Sequence, residues 1–375
     1  MRKLASLILA LCLLLPLLAV AGAVPESATL VLDSGVDTAL FLPDGRVVYV
    51  PWRQSGGESL PNEELRCLDG SGNLLWSLRL PAFRVPWGGL YQLSGSQFAL
   101  IAEQLADGQR VQHIITSKGE LSASKPLPPG LVPIMMAGDQ LFGTRQGQEA
   151  HQLLEISPDG ETRPYMLPEM KDNASLLWAW PRGSGHLMLG IGKLSQEEDF
   201  TKRTASQVLV YVDENGRQAR HAMLEDKRYI DGFSGDAALN DQGGLTALVA
   251  DYQDEAYNQF SVVCFDNKGR QAWQRNVSLD CHSVSALIID QQADGSYTVY
   301  GAGQQTELQN AGFVFKLVID REGSPQAFSA RAAQGGWMVR YTNGQPYVFS
   351  KWPPQAWLAP FDAMPEIEMQ LRLSQ

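Results

Sequence analysis

Hydrophobic positions along the chain fall into short runs rich in β-branched and aromatic residues, separated by polar turns. RVVYV after Gly45, QFALIA after Gly95, HLMLGIG after Gly185, LTALVA after Gly244, SYTVYGA after Gly295 and QPYVFS after Gly344 are the clearest. Runs of this length without a polar face predict strands buried on both sides. No long stretch with helical periodicity separates them, which argues against alternating strand–helix units. One apolar run is of a different kind. Arg2 and Lys3 precede an apolar run from Leu4 to Val20, closed by Ala21, Gly22 and Ala23. That order predicts a secretory signal peptide over residues 1–23, cleaved after Ala23. Pro16 and the A-x-A ending argue against an uncleaved anchor. No other stretch approaches the roughly 20 apolar residues of a spanning helix.

The remaining chain, 24–375, reads as repeats of two hairpins. The first hairpin has a D-x-x-G-like turn between strands, as in LRCLDGSGNLLWSLRL around Gly72 and HIITSKGELSAS around Gly119. It recurs around Gly160, Gly216, Gly269 and Gly323. Glycine suits these turns because a tight hairpin needs positive φ. The second hairpin turns at Gly45, Gly95, Gly138, Gly185, Gly244, Gly295 and Gly344. The interval between successive members is about 50 residues, the range of propellers and solenoids. Each unit then reads as strands A, B, C and D, all antiparallel. The predicted fold is all-β: a single domain forming a seven-bladed β-propeller of four-stranded blades. Blades start near residues 27, 82, 129, 173, 228, 281 and 333. Six or eight blades remain open if the ends pair differently. In the last blade WMVRYT, QPYVFS, AWLAPF and EIEMQLRL supply four strands, and ATLVLDS near the N-terminus is placed to pair with that blade.

Composition narrows the partners. Of 375 residues, 41 are acidic and 30 basic, a formal charge of -11, which argues against nucleic acid because phosphate binding needs a basic surface. Cysteines are sparse: after cleavage only Cys67, Cys264 and Cys281 remain, without metal-ligand spacing. Cys67 and Cys264 sit at matching places in two similar strands, as small core hydrophobes; a Cys264–Cys281 bridge is a minor alternative.

The pattern D-x-x-G-x-x-x-W at Asp69, Gly72 and Trp76, and again at Asp266, Gly269 and Trp273, resembles the PQQ-like repeat of quinoprotein-type β-propellers, with a broader WD40-like character. That family includes non-enzymatic envelope propellers. The resemblance implies that the tryptophans dock neighbouring blades. The corresponding positions elsewhere are Ala123, Pro164, Arg220 and Ala327. Quinone-dependent members carry adjacent cysteines, and this chain has no Cys-Cys pair, so no cofactor is expected.

The B–C connections are long and varied, among them RQSGGESLPNEE, LSQEEDFTKRTAS and DYQDEAYNQ, whereas the A–B and C–D turns are short. Length variation on one face marks a binding face. The D–A connections share it and supply aromatic residues for a channel-mouth rim: Trp87, Trp178, Trp180, Tyr229 and Trp337, with Phe83 and His282. Trp52 and Trp352 follow strand B in the first and last blades. Aromatic rings around a concavity suit glycan stacking or peptide capture, and inter-blade packing is the alternative use of each ring. Glu197, Glu198, Asp199, Asp251, Asp254 and Glu255 lie on two B–C loops, but no D-x-D-x-D-G loop is present, so no metal is expected. The histidines form no H-x-x-x-H pair, and there is no G-x-S-x-G elbow. The expected protein is a secreted, non-catalytic, monomeric propeller that binds protein or glycan at the cell envelope. The alternative is an extracellular hydrolase or lyase acting on carbohydrate, with His282 and carboxylates such as Asp231, Asp236 and Asp290 converging at the channel mouth.

Overall fold

The computed structural model describes residues 25, 26, 28–32, 34–55, 58–86, 89–146, 151–165, 167, 174–182, 186–194, 204–213, 217–228, 237–240, 244–250, 258–268, 270–306, 312–333, 337–342, 345–350 and 355–374. The signal-peptide segment lies outside them. The predicted runs form antiparallel strands, and successive strands pair with their sequence neighbours. The first unit comprises Val36–Phe41, Val47–Pro51, Asn62–Leu68 and Leu74–Arg84. The second comprises Leu90–Gln92, Gln97–Gln104, Arg110–Thr116 and Leu121–Pro126, joined to the first where Phe83 pairs with Gln104 and Arg84 with Glu103. The third runs from Leu131 to Tyr165, the fourth from Ala174 to Arg228, the fifth from Ala237 to Leu279 and the sixth from Ser283 to Ala332. The last holds Trp337–Thr342, Gln345–Ser350 and Trp357–Pro360.

Burial follows strand order. Second strands such as Tyr297–Gln304 are buried almost throughout, and fourth strands such as Leu121–Pro126 are mostly exposed. Because alternate side chains leave opposite faces of a strand, one strand serves two neighbours. Phe98, Leu100 and Ala102 pack towards the first unit, whereas Ile101 packs towards the third. The core is accordingly divided into clusters lying between successive units. One of them brings Leu30, Phe349 and Leu358 of the last unit against Val36, Val47 and Tyr49 of the first. Each fully buried Leu, Val or Phe contributes about 1.5–3 kcal/mol.

Segments near both ends of the described residues serve as edge strands. Leu30–Val31 pairs with Trp357–Pro360 through Leu30↔Leu358 and Val31↔Trp357, as the N-terminal pattern predicts. It therefore occupies the fourth-strand place that the sequence assigns to EIEMQLRL. That alternating segment instead leaves the last unit. Glu366–Ile367 adds a fifth strand to the sixth unit at Ala330↔Ile367. Leu371–Ser374 adds one to the fifth unit, from Leu279↔Leu371 to Asn276↔Ser374. Ile367, Met369, Leu371 and Leu373 pack on the cluster these two units share. An edge strand offers free backbone groups to any strand, so the hydrophobic cluster decides where this one docks.

The D-x-x-G turns work as the sequence expects. Gly72, Gly119 and Gly323 have φ of 86°, 82° and 84°. Asp69 Oδ1 accepts the backbone N–H groups of Ser71 at 2.8 Å and Asn73 at 2.9 Å. Gly244 is required for a different reason, the approach of another backbone. A Cβ there would stand 1.9 Å from the carbonyl oxygen of Phe265, so close backbone approach excludes a side chain.

The two motif tryptophans reach the next unit. Trp76 Nε1 donates to the carbonyl of Ser117 at 3.1 Å, and its ring covers Gly119, where an added Cβ would meet it at 2.5 Å. Trp273 Nε1 donates to Arg321 O at 2.9 Å and its ring covers Gly323 in the same way. Gly160, whose upstream neighbour carries Ala123 at the tryptophan position, has nothing within 4 Å of that point. Cys67 pairs across the strands with Trp76, and Cys264 with Trp273, so the two hairpins are alike in register. Cys67, Cys264 and Cys281 are free thiols, and the Cys264–Cys281 bridge does not form.

Candidate functional site

A cavity of about 380 Å3 lies in the first unit, where strand B ends and strand C begins. Pro51 and Trp52 form its apolar wall, and Ser34, in the link between the N-terminal edge strand and strand A, closes one side. These positions belong to the B–C and D–A connections, the face on which the sequence places a binding site. The backbone N–H of Trp52 donates to Gly35 O at 2.9 Å, which fixes the half-buried indole beside that link.

Strand C supplies the polar wall. Its register is shifted between Asn62 and Glu64, and Glu64 then faces Arg79 on strand D. Glu64 bonds to Arg66 at 2.9 Å. That hydrogen bond holds the Glu64 carboxyl below its usual range despite the opposing effect of burial. The same bond raises the Arg66 guanidinium, which also engages Tyr49. At the rim Arg53 and Glu63 form an exposed pair at 3.2 Å. Asn62 is only 3% exposed, and its Nδ2 donates to Asp37 Oδ2. Asn62 Oδ1 and Ser34 Oγ are buried atoms without a hydrogen-bond partner. Three arginines and two glutamates line the space, so the lining carries an excess of one positive charge.

The aromatic rim expected from sequence is only partly described. Trp87 and Tyr229 lie outside the described residues, as do the acidic loops around Glu197 and Asp251 and the carboxylates Asp231 and Asp236. Trp178 and Trp180 lie within the first strand of the fourth unit, Ala174–Arg182, not in the D–A connection to which their sequence context assigns them. They are opposite Gly190 and Met188, with Trp180 nearer the A–B turn. The segment LLWAWPR thus continues the strand instead of ending a loop, because its bulge between Leu176 and Trp178 preserves pairing. Trp337 opens the first strand of the last unit, at the D–A end. His282 is exposed just before Ser283–Gln291, and its backbone N–H donates to Gln304 O at 2.9 Å. Asp290 stands near the other end of that strand, roughly 25 Å from His282 at about 3.3 Å per residue. These two groups do not form a shared acid–base site. His113 is structural, as the strand pattern suggests: it is 3% exposed, its Nδ1 lies 2.8 Å from Ser124 Oγ, and burial lowers its pKa.

Among the described residues there is no group of three His, Cys, Asp or Glu side chains able to hold a metal ion. None of the described helices is long and apolar enough to cross a membrane. Sequence reasoning singles out Trp52 as a residue after strand B but misses Asn62, Arg66 and Arg79. They are ordinary polar positions of alternating strands until cross-strand register places them around one space.

No protein-family model matches the chain, and no curated protein matches it in sequence. Among solved structures it is similar to Drosophila Plexin A in complex with Semaphorin 1b, at 10% identity and a TM-score of 0.50, over 89% of this chain and 87% of that one. It is also similar to Drosophila Semaphorin 2a, at 7% identity and a TM-score of 0.51, over 88% of this chain and 74% of that one. These neighbours are propeller-type folds. The likeness shows a propeller-like all-β architecture for this chain, and at such low identity it shows the fold alone.

Proposed function

We propose that residues 24–375 form a single seven-bladed propeller that is exported after loss of residues 1–23. It acts at the cell envelope as a non-catalytic, monomeric binding or scaffold module for protein or glycan. The observation that carries this reading is the polar cavity beside Trp52, sited where B–C and D–A connections meet. Seven blades are supported by the four-stranded units and by the contact of Trp337–Thr342 with Val36–Phe41, which brings the first strands of the last and first units together. Export is supported by the Arg2–Ala23 pattern alone. The docking of Trp76 and Trp273 on the following turns supports kinship of the repeat with PQQ-like propellers, without a cofactor. The carbohydrate-cleaving alternative needs converging acid–base groups, and the distance between His282 and Asp290 does not favour it.

The test is an array of immobilised saccharides and peptides, probed with the protein beginning at Val24 and with its Trp87→Ala, Trp337→Ala and Trp52→Ala variants. Selective binding that one or more of these substitutions weaken supports the reading. Absence of selective binding to both arrays overturns it. Export is tested by fractionation and N-terminal sequencing, with Val24 as the expected first residue; protein retained in the cytoplasm with Met1 intact overturns that part.

A further inference from the structure

Two features of the Trp52 cavity narrow its occupant: what its polar atoms lack, and what its charged groups already have. Glu64 and Arg66 satisfy each other at 2.9 Å, and Arg53 and Glu63 do so at 3.2 Å. Removing either partner of such a pair from water is compensated within the protein, so these four groups present little unpaired charge. The remaining cation of the lining is Arg79, an exposed side chain that lies across from Glu64, interacts with its charge and leaves the lining one positive charge in excess. Deeper in, Asn62 is 3% exposed, and its Oδ1 lacks a donor; Ser34 Oγ lacks any partner. A buried acceptor without a donor is destabilising, because the hydrogen bond it loses to water is not replaced. It is also an arrangement found where a ligand supplies the missing bond.

The missing partners have a common chemistry. Asn62 Oδ1 needs an O–H or N–H donor, whereas Ser34 Oγ both donates and accepts. A hydroxyl satisfies each. The apolar part of the lining is small, Pro51 and Trp52, which suits the ring face of a sugar and not the bulky apolar anchor of a peptide. The space, about 380 Å3, falls at the small end of ligand pockets, where about 300–1,000 Å3 is usual. The excess guanidinium favours an anionic substituent, and a carboxylate matches its planar fork.

We propose that this cavity binds a saccharide bearing a carboxylate. The sugar ring lies against Trp52, a hydroxyl donates to Asn62 Oδ1, and the uronate group pairs with Arg79. The inference rests on the reading of the chain as a binding module and commits it to one ligand class and one place.

The experiment is isothermal titration of the protein beginning at Val24 with three probes: digalacturonate, a glucuronate-containing disaccharide and neutral digalactoside. Trp52→Ala and Arg79→Gln are titrated in parallel, with far-UV circular dichroism and urea midpoints confirming that both variants are folded. The expected result is uronate binding weakened about tenfold or more by either substitution, the equivalent of about 1.4 kcal/mol per factor of ten. Arg79→Gln is expected to weaken the acidic probes more than the neutral one. Uronate binding that both folded variants retain overturns the site while sparing the binding-module reading. Equal affinity for neutral and acidic probes overturns the assignment of Arg79. No binding of these probes, with peptides selected on the array, overturns the saccharide inference alone; failure on every saccharide and peptide overturns both readings.

Discussion

Replacing Gly119 by alanine separates two physical effects that coincide at that turn. The first is backbone strain: φ is 82°, and a Cβ in the left-handed region costs about 1 kcal/mol. The second is overlap with the preceding unit. A Cβ would meet three atoms of the Trp76 ring at 2.5–2.7 Å, and such overpacking costs about 1–3 kcal/mol. Gly119→Ala is therefore expected to destabilise by about 3 kcal/mol, most of it through the tryptophan. Gly160→Ala isolates the backbone part, since φ is 88° and nothing lies within 4 Å; about 1 kcal/mol is expected there. Trp76→Ala alone removes ring packing, the contact with Phe98 at 6.4 Å and the hydrogen bond to Ser117, for about 3 kcal/mol. In the double variant the overlap is gone, so Gly119→Ala adds only about 1 kcal/mol. Urea unfolding of all four proteins at a common m-value reads the coupling, expected near 2 kcal/mol. Additivity within about 0.5 kcal/mol would refute the claim that Trp76 docks the first unit onto the second.

Other expectations follow from the same geometry. Leu371→Ala with Leu373→Ala removes two partly buried side chains of the C-terminal edge strand from the cluster between the fifth and sixth units, so a combined loss of about 2–3 kcal/mol should appear in urea unfolding; a loss below about 0.5 kcal/mol would contradict that docking. Burial lowers the His113 pKa, so the unfolded chain binds the proton more readily. Stability should fall as pH drops below about 6.5 towards the folded pKa, and His113→Gln should flatten that part of the profile. A second decline, as lowered carboxyls such as Asp44 and Glu64 are protonated, belongs below about pH 4–4.5. Burial pushes the thiols of Cys67 and Cys281 up to about 11 and about 12. A thiol reagent at pH 8 should therefore label neither within minutes in the folded protein and both on denaturation; rapid labelling of Cys67 in folded protein would place it at the surface.

Much of this molecule was legible in its sequence. The apolar runs mark strands because only a strand buried on both faces tolerates them, and the turn glycines mark hairpins because left-handed backbone excludes most side chains. Gly119 and Gly323 show why that reading works: local steric rules apply before any tertiary contact exists. The tryptophan positions announce docking for a similar reason, a large ring with one polar atom needing both a surface and an acceptor. Trp178 and Trp180 mark the limit, because a bulge that keeps pairing intact carries no clear signal in LLWAWPR.

Where interchangeable edges meet, and which polar residues share a space, was settled by long-range packing. EIEMQLRL alternates as a strand should, but its backbone groups would pair with any free edge; the cluster that receives Leu371 and Leu373 selects the fifth unit, and Leu30–Val31 takes the place left in the last. Asn62, Arg66 and Arg79 likewise alternate as unremarkable polar positions. Cross-strand register, shifted between Asn62 and Glu64, brings them around Trp52. Hydrogen bonds within a hairpin are written in local sequence, whereas the unsatisfied oxygen of Asn62 arises from everything that surrounds it.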